Sequence, residues 1–145
     1  MIGYWKKWNR CTGGNQSATA QKNGGAAAGF LVEDLLPQAI GDFSVTNCQQ
    51  AVKFLSKQDQ KGRSKSSDAA YELGAHLLAA RFNLAAGAET CSAVQQAVLD
   101  GQTLLDSINF TGSGDYLGSK SKDPKRAQAL SLAASLDRYN NGNLC

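Results

Sequence analysis

Four widely spaced cysteines are the strongest constraint that the sequence places on the fold. They are Cys11, Cys48, Cys91 and Cys145. None belongs to a C-x-x-C pair and the chain has one histidine, so a structural zinc site is not indicated. An even number of separated cysteines is typical of disulfides formed in an oxidising compartment. The alternative is four buried, reduced cysteines.

Two disulfides can connect four cysteines in three ways. We favour Cys11–Cys48 with Cys91–Cys145, because this pairing closes one loop in each half of the chain. It would also fix the last residue, Cys145, which follows the polar segment 140–143. A loose tail gains most from such a bond. The sequence by itself leaves the other two pairings open.

The length and composition suit a single folded domain over residues 1–145. Of these residues, 42% are hydrophobic and 19% are charged, which is too apolar for a disordered segment. No run approaches the roughly 20 apolar residues that span a bilayer, so membrane insertion is not expected. The first residues lack the apolar core of a signal peptide. We therefore expect a domain excised from a larger extracellular protein.

Helical patterns dominate the chain from Thr46 onward. Residues 46–49 and 92–95 fit the pattern of a capping box, which would start two helices. Between them, Ser67 and Asp68 start the longest predicted helix, which ends at Gly87. This helix is apolar around most of its circumference, so it belongs at the centre of a bundle.

The remaining segments complete the predicted architecture. Asp123 as a cap and Pro124 at the first helical position begin a final helix. Near the start, residues 26–36 are predicted to form a helix ended by Pro37, and residues 43–45 a short extended piece. The fold predicted is all-α, an irregular bundle of four or five helices stapled by two disulfides.

Several segments of the sequence resemble a known family. The chain opens with Gly3-Tyr4-Trp5-Lys6, and segments 67–71 and 77–88 lie in the central helix, the latter ending Ala-Gly-Ala. Residues 109–118 are similar to a loop in a cysteine-containing subgroup. Together these segments resemble the Gly-Tyr-Trp-Lys-motif helical domains of large bacterial cell-surface and secreted proteins, whose function is poorly known. The resemblance implies a secreted or cell-surface location in bacteria. It also implies adjacent domains of the same chain as partners.

One departure from that family limits what can be carried over. Many members continue the opening motif with a histidine and a proline. Residues 7–11 of this chain instead read Lys-Trp-Asn-Arg-Cys. No role of the family's histidine is therefore carried over to this sequence.

The aromatic and basic start of the chain is the best candidate for a binding site. Both tryptophans of the chain lie within four residues of each other, beside a tyrosine and three cationic side chains. Flat aromatic faces stack on sugar rings or cations, and neighbouring donors fix orientation. Alternatively, Trp5 and Tyr4 pack into the end of the bundle, since large aromatic residues dominate core energetics, or these residues contact a preceding domain. The ligand-binding residues predicted, for an extracellular glycan or a matrix or surface protein, are Tyr4, Trp5 and Trp8, with Lys6, Lys7 and Arg10 beside them.

Glu72 and His76 form the one catalytic-looking constellation. They lie one turn apart on the central helix, with Asn83 further along. A carboxylate can orient an imidazole for proton transfer. However, no serine, reduced cysteine or second acid is obviously placed with them, and a solvated helix face explains them as well. We therefore predict no catalytic residue, no enzyme activity and no cofactor.

Two other patterns are also ambiguous. Asp106, Asn109, Ser113 and Asp115 place oxygens around a glycine-containing loop, as calcium prefers. Their spacing does not match the EF-hand, and turn chemistry explains them equally, so no metal site is predicted. The net charge of +3 is mildly basic, and no nucleic-acid partner is predicted.

The function predicted is that of a non-catalytic extracellular module for adhesion, matrix structure or domain spacing. One alternative is an enzyme that processes cell-wall or matrix polymer, using Glu72 and His76. Another is a purely structural or self-assembling domain.

Overall fold

The computed structural model describes residues 2–12 and 30–145. These two stretches contain five α-helices, one short 3-10 helix and one two-stranded sheet. The elements in chain order are α1 (Ile2–Lys7), the 3-10 helix (Val32–Leu35), β1 (Gln38–Ile40), β2 (Phe43–Val45), α2 (Cys48–Leu55), α3 (Ala69–Ala85), α4 (Ser92–Ser107) and α5 (Lys125–Asn140). The predicted helical bundle with two disulfides is confirmed.

Helix α3 is the centre of the bundle. It contacts α1, α2, α4 and α5 as well as the strand β1 and the 3-10 helix. Most of its residues are buried, and many of them are alanine, which lets neighbouring helices approach closely. The apolar residues around most of its circumference therefore correctly predicted that α3 lies at the centre of the bundle. Among the described residues, no helix combines the length and apolar character needed to cross a bilayer.

Helix starts agree with the sequence to within a residue or two. Asp68 caps α3, accepting a hydrogen bond from Ala70 N at 3.0 Å. For α2 the capping box lies one residue later than predicted, with Asn47 and Gln50 satisfying each other's backbone amides. Helix α5 begins one residue later than predicted, with Pro124 at the cap position, and Asp123 accepts from Lys125 N at 2.9 Å.

The capping box predicted at residues 92–95 is wrong. Cys91 occupies the cap position of α4 and offers no side-chain hydrogen bond to the helix. Gln95 instead donates to Thr90 Oγ1 at 3.2 Å, ahead of the helix. The disulfide to Cys145 holds Cys91 at this position, so the helix start is positioned by a covalent bond.

The helix predicted over residues 26–36 is wrong in its described part. Residues 26–29 lie outside the described residues, and from there on only Val32–Leu35 is helical, as a single 3-10 turn. Leu36 is extended, because a residue before proline is sterically excluded from the helical region. Strand β1 follows at once and pairs antiparallel with Phe43–Val45, which confirms the predicted extended piece.

Candidate functional site

Both favoured disulfides are present. Cys11–Cys48 joins the segment after α1 to the first residue of α2, with a Cα–Cα distance of 5.9 Å. Cys91–Cys145 ties the carboxyl-terminal residue to the start of α4, with a Cα–Cα distance of 5.7 Å. No cysteine in the described part of the chain is a free thiol. Each half of the bundle is therefore closed by one covalent staple.

Trp5 is a core residue, which corrects its place among the predicted ligand contacts. Its side chain is 0% exposed and packs on Phe82, with ring centroids 5.4 Å apart. Its indole Nε1 donates to Asn83 Oδ1 at 3.0 Å. A large aromatic ring gains more from burial than from exposure, and its N–H has a hydrogen-bond partner in the partly buried Asn83. A ligand cannot reach Trp5 in this structure.

Tyr4 and Trp8 remain at the surface as a stacked pair. Their ring centroids are 5.3 Å apart with an interplanar angle of 24°, and both side chains are only partly buried. The cationic side chains of Lys6, Lys7 and Arg10 are exposed beside them. We call these five residues the aromatic-basic face. The structure thus keeps two of the three predicted aromatic contacts accessible, and it leaves the neighbouring cations in solvent.

Asn9 fixes the backbone under this face, a role that was not predicted. It is 0% exposed, and its Nδ2 donates to Trp5 O at 3.2 Å and Lys6 O at 2.8 Å, which closes the end of α1. Its Oδ1 accepts from Cys11 N at 3.1 Å and Thr12 N at 3.0 Å. Asparagine side chains readily hydrogen-bond nearby backbone groups, so an asparagine just past a short helix is a usable sequence signal for this arrangement.

The segment carrying Trp8 is also tied to the rest of the bundle. Val32 N donates to Trp8 O at 3.0 Å, and Arg10 N donates to Glu33 Oε1 at 2.7 Å. Together with the disulfide at Cys11, these bonds fix the backbone on which Trp8 stands. A binding surface on a fixed backbone loses little conformational entropy when a ligand binds.

Glu72 and His76 lie beside other charged partners and are not hydrogen-bonded to each other. Glu72 Oε1 lies 3.6 Å from Lys57 Nζ, and no hydrogen bond joins Glu72 to His76 among the described residues. His76 is 8% exposed; its Nδ1 lacks a hydrogen-bond partner and lies 3.7 Å from Asp137 Oδ1. Burial lowers the pKa of His76, and the carboxylate of Asp137 opposes that shift.

Asn83 links the central helix to two other helices through its side chain. Besides accepting from Trp5, it donates from Nδ2 to Asn140 Oδ1 at 3.0 Å. Asn140 Nδ2 in turn donates to the backbone carbonyl of His76 at 3.2 Å. Asn83, which the sequence placed on the same helix as Glu72 and His76, is therefore engaged in hydrogen bonds between helices.

The oxygen-rich loop after α4 is organised by protein groups. Asp115 Oδ1 is paired with Lys65 Nζ at 2.7 Å, and Tyr116 OH donates to Ser113 O at 2.5 Å. Buried Asp68 accepts from Tyr116 N at 2.8 Å and from Leu117 N at 3.0 Å. Asp106 and Asn109 are exposed, and Asn109 has a positive φ of 55° typical of a turn. Turn chemistry accounts for this loop.

The comparisons with known proteins add no assignment. No family model, no curated protein and no solved structure matches the chain. The resemblance to the Gly-Tyr-Trp-Lys-motif domains therefore stays a prediction.

Proposed function

We propose that this chain is a non-catalytic module of a bacterial extracellular protein that binds glycan through the aromatic-basic face, in adhesion, matrix structure or domain spacing. The observation that carries the proposal is the stacked pair of Tyr4 and Trp8, part-exposed and flanked by three exposed cations. Trp8 and Tyr4 offer flat apolar surface, and the C–H faces of a sugar ring stack on such surfaces. Lys6, Lys7 and Arg10 would donate to sugar hydroxyls or to acidic substituents.

The support under the face favours recognition. Asn9 is fully buried and closes the end of α1, while the disulfide holds the next turn of the chain. The contact residues therefore sit on a preorganised backbone, which lowers the entropy cost of binding. A protein ligand could use the same surface, and it is distinguished by the test below.

The geometry of the ionisable residues favours a non-catalytic role. His76 is buried beside Asp137, and Glu72 is paired with Lys57. All four cysteines are in disulfides, so none offers a thiolate nucleophile. The constellation that would carry the alternative, a polymer-processing enzyme, is thus not assembled in the described chain.

The two disulfides support the extracellular part of the proposal. Disulfides persist in oxidising compartments and are rare in the reducing cytosol. The resemblance to domains of large bacterial surface proteins points the same way. Adjacent domains of the same chain would then carry this module to the cell surface.

The test is binding of the oxidised chain to an array of glycans and matrix proteins. Trp8→Ala should weaken glycan binding at least about 10-fold, because an aromatic anchor at a binding site contributes more than ~1.4 kcal/mol. Leu99→Ala removes an exposed apolar side chain far from the face in sequence and serves as the control. Helicity measured by circular dichroism must be the same in all three proteins.

The cations are tested with variants matched for charge. Lys6→Ala with Lys7→Ala should weaken binding to acidic glycans and reduce its dependence on salt. Lys120→Ala with Lys122→Ala removes two exposed charges elsewhere and should change neither. Undiminished glycan binding in folded Trp8→Ala contradicts the proposal. If the chain binds matrix proteins but no glycan on the array, the ligand is a protein and the glycan part of the proposal is wrong. If it binds nothing on the array, the result supports a purely structural domain.

A further inference from the structure

Three potential metal ligands from distant parts of the sequence meet beside α1. The Sγ atoms of Cys11 and Cys48 and a carboxylate oxygen of Glu33 all lie within 4.8 Å of one another. Cys11 follows α1, Glu33 belongs to the 3-10 helix, and Cys48 is the first residue of α2. Ligand-spacing motifs in the sequence could not reveal this cluster, because the fold brings three separate segments together.

The Glu33 carboxylate is only half satisfied by the protein. Its Oε1 accepts from Arg10 N at 2.7 Å, whereas Oε2 is buried and has no hydrogen-bond partner. A buried carboxylate oxygen without a partner is unfavourable, and such an atom calls for a bound water or ion as its explanation. The same carboxylate has an oxygen within 4.8 Å of two sulfur atoms, which would be potential ligands once reduced.

The surroundings suit a bound ion. A surface cavity of about 450 Å³ is lined by Glu33 and Cys48, so an ion could enter from solvent. Asn9 Oδ1 lies 3.4 Å from each Sγ, and it already accepts from two backbone amides. Cys48 opens α2, and the positive end of a helix favours the thiolate.

We propose that reduction of the Cys11–Cys48 disulfide converts this cluster into a binding site for a Zn²⁺-class cation. Two equivalents of a small thiol break the S–S bond, giving two cysteine thiols and one small-molecule disulfide. The cation then binds both sulfurs as thiolates and displaces their two protons to solvent. Glu33 supplies a third ligand, and water completes a tetrahedral set; two thiolates and a carboxylate suit Zn²⁺. This proposal does not depend on glycan binding.

The test uses Co²⁺ as a spectroscopic probe on the full chain. The variant Cys91→Ser/Cys145→Ser keeps the proposed ligands as the only cysteines. After reduction and removal of the thiol, it should bind one equivalent of Co²⁺ with thiolate-to-metal charge-transfer absorption. The unreduced protein should show none. The reciprocal variant Cys11→Ser/Cys48→Ser, which keeps the other two thiols, is the control and should show no such site.

Glu33 is tested separately, since it takes no part in the disulfide. Glu33→Gln should raise the Kd for Co²⁺ at least about 10-fold, while Glu89→Gln, an exposed control, should leave it unchanged. If the reduced chain loses helicity, Co²⁺ should restore it, because ligand binding is then coupled to folding. Absence of charge transfer, equal Kd in Glu33→Gln, or equal binding by the reciprocal control overturns the proposal.

Discussion

Trp5 Nε1 donates a 3.0 Å hydrogen bond to Asn83 Oδ1, which ties the first helix to the central one through a fully buried indole. Asn83 Nδ2 in turn donates to Asn140 Oδ1 on α5. Asn140 Nδ2 donates to the backbone carbonyl of His76. Three helices therefore share one polar network, which runs from the buried Trp5 to the partly buried Asn83 and Asn140. A network with all its members paired favours one arrangement of helices over similar alternatives.

Replacement of Trp5 by phenylalanine should lower the free energy of unfolding by about 1–3 kcal/mol, because Asn83 Oδ1 loses its donor. Trp5→Ala should cost about 3–5 kcal/mol, since it also removes a large buried ring. Urea unfolding of the oxidised protein measures both. Trp8→Phe, at the partly exposed neighbour, is the control and should cost less than Trp5→Phe. An equal cost at the two positions would contradict the role given to the buried bond.

Gly101→Ala should stabilise the protein by about 0.5–1 kcal/mol. Gly101 lies inside α4, where glycine is unfavourable relative to alanine. An added Cβ would sit 3.5 Å from Leu73 Cδ1 and 3.6 Å from Leu77 Cδ2, which are ordinary contacts with side-chain ends. Thermal and urea unfolding would show the gain. A loss of stability would mean that the two leucines cannot accommodate one methyl group.

Gly41→Ala should have the opposite sign and cost about 1–2 kcal/mol or more. Gly41 turns the β1–β2 hairpin with a φ of +59°, which favours glycine. Its Cβ would also lie 3.1 Å from Phe110 O, a backbone atom with little room to move. The same unfolding experiment compares the two glycines directly. Equal effects of the two substitutions would refute the argument from backbone conformation.

The sequence predicted best what depends on local pattern. The all-round apolar surface of α3 placed it at the centre, and the spacing of cysteines favoured the disulfides that form. It predicted worst the region before α2, where Pro37 and tertiary contacts decide the conformation. Gln102 of α4 accepts from Gly41 N and donates to Ala39 O, which fixes the β1–β2 hairpin. Because these residues are far apart in the sequence, local hydrophobic periodicity could not predict this contact.

The sequence predicted which residues form the aromatic cluster, but not which of their side chains are exposed to solvent. Three aromatic residues within five positions indicated a cluster, yet nothing in their spacing said that Trp5 would point inward and Trp8 would not. The buried Trp5 has a hydrogen-bond partner on another helix, the partly buried Asn83. The grouping of Glu33 with Cys11 and Cys48 was equally hidden, because it is a product of the fold.

Asp68→Ala should be more damaging than Asp123→Ala, although both side chains accept a hydrogen bond from the first turn of a helix. Asp123 is exposed and accepts from one helix amide, Lys125 N, so its loss should cost about 1 kcal/mol. Asp68 is 3% exposed and accepts from Ala70 N, Tyr116 N and Leu117 N. Its loss leaves buried donors unpaired, which should bring the cost to about 3 kcal/mol. Equal costs in urea unfolding would show that water replaces Asp68 at no penalty.

His76 should make the protein less stable as the pH falls below about 6.5, its ordinary pKa. Burial lowers its folded pKa, so the unfolded chain binds the proton more readily and stability declines until the pH passes the folded pKa. Asp137 and Glu72 oppose this shift, whereas Lys57 adds to it.

The contribution of His76 is isolated by comparing the slope of unfolding free energy against pH between the native protein and His76→Gln. His76 is the only histidine, and its contribution to the slope cannot exceed about 1.4 kcal/mol per pH unit. Asp137→Asn removes an attraction that favours the charged imidazole, so it should lower the folded pKa of His76 further. The decline in the free energy of unfolding should then continue to lower pH than in the native protein. The pKa of Asp59 is lowered chiefly by the backbone N–H of Arg63, so Asp59 titrates at a lower pH than His76. Asp59 is present in all three proteins and therefore does not affect the comparison. Identical slopes for native protein and His76→Gln would show that His76 is not held in its neutral form by burial.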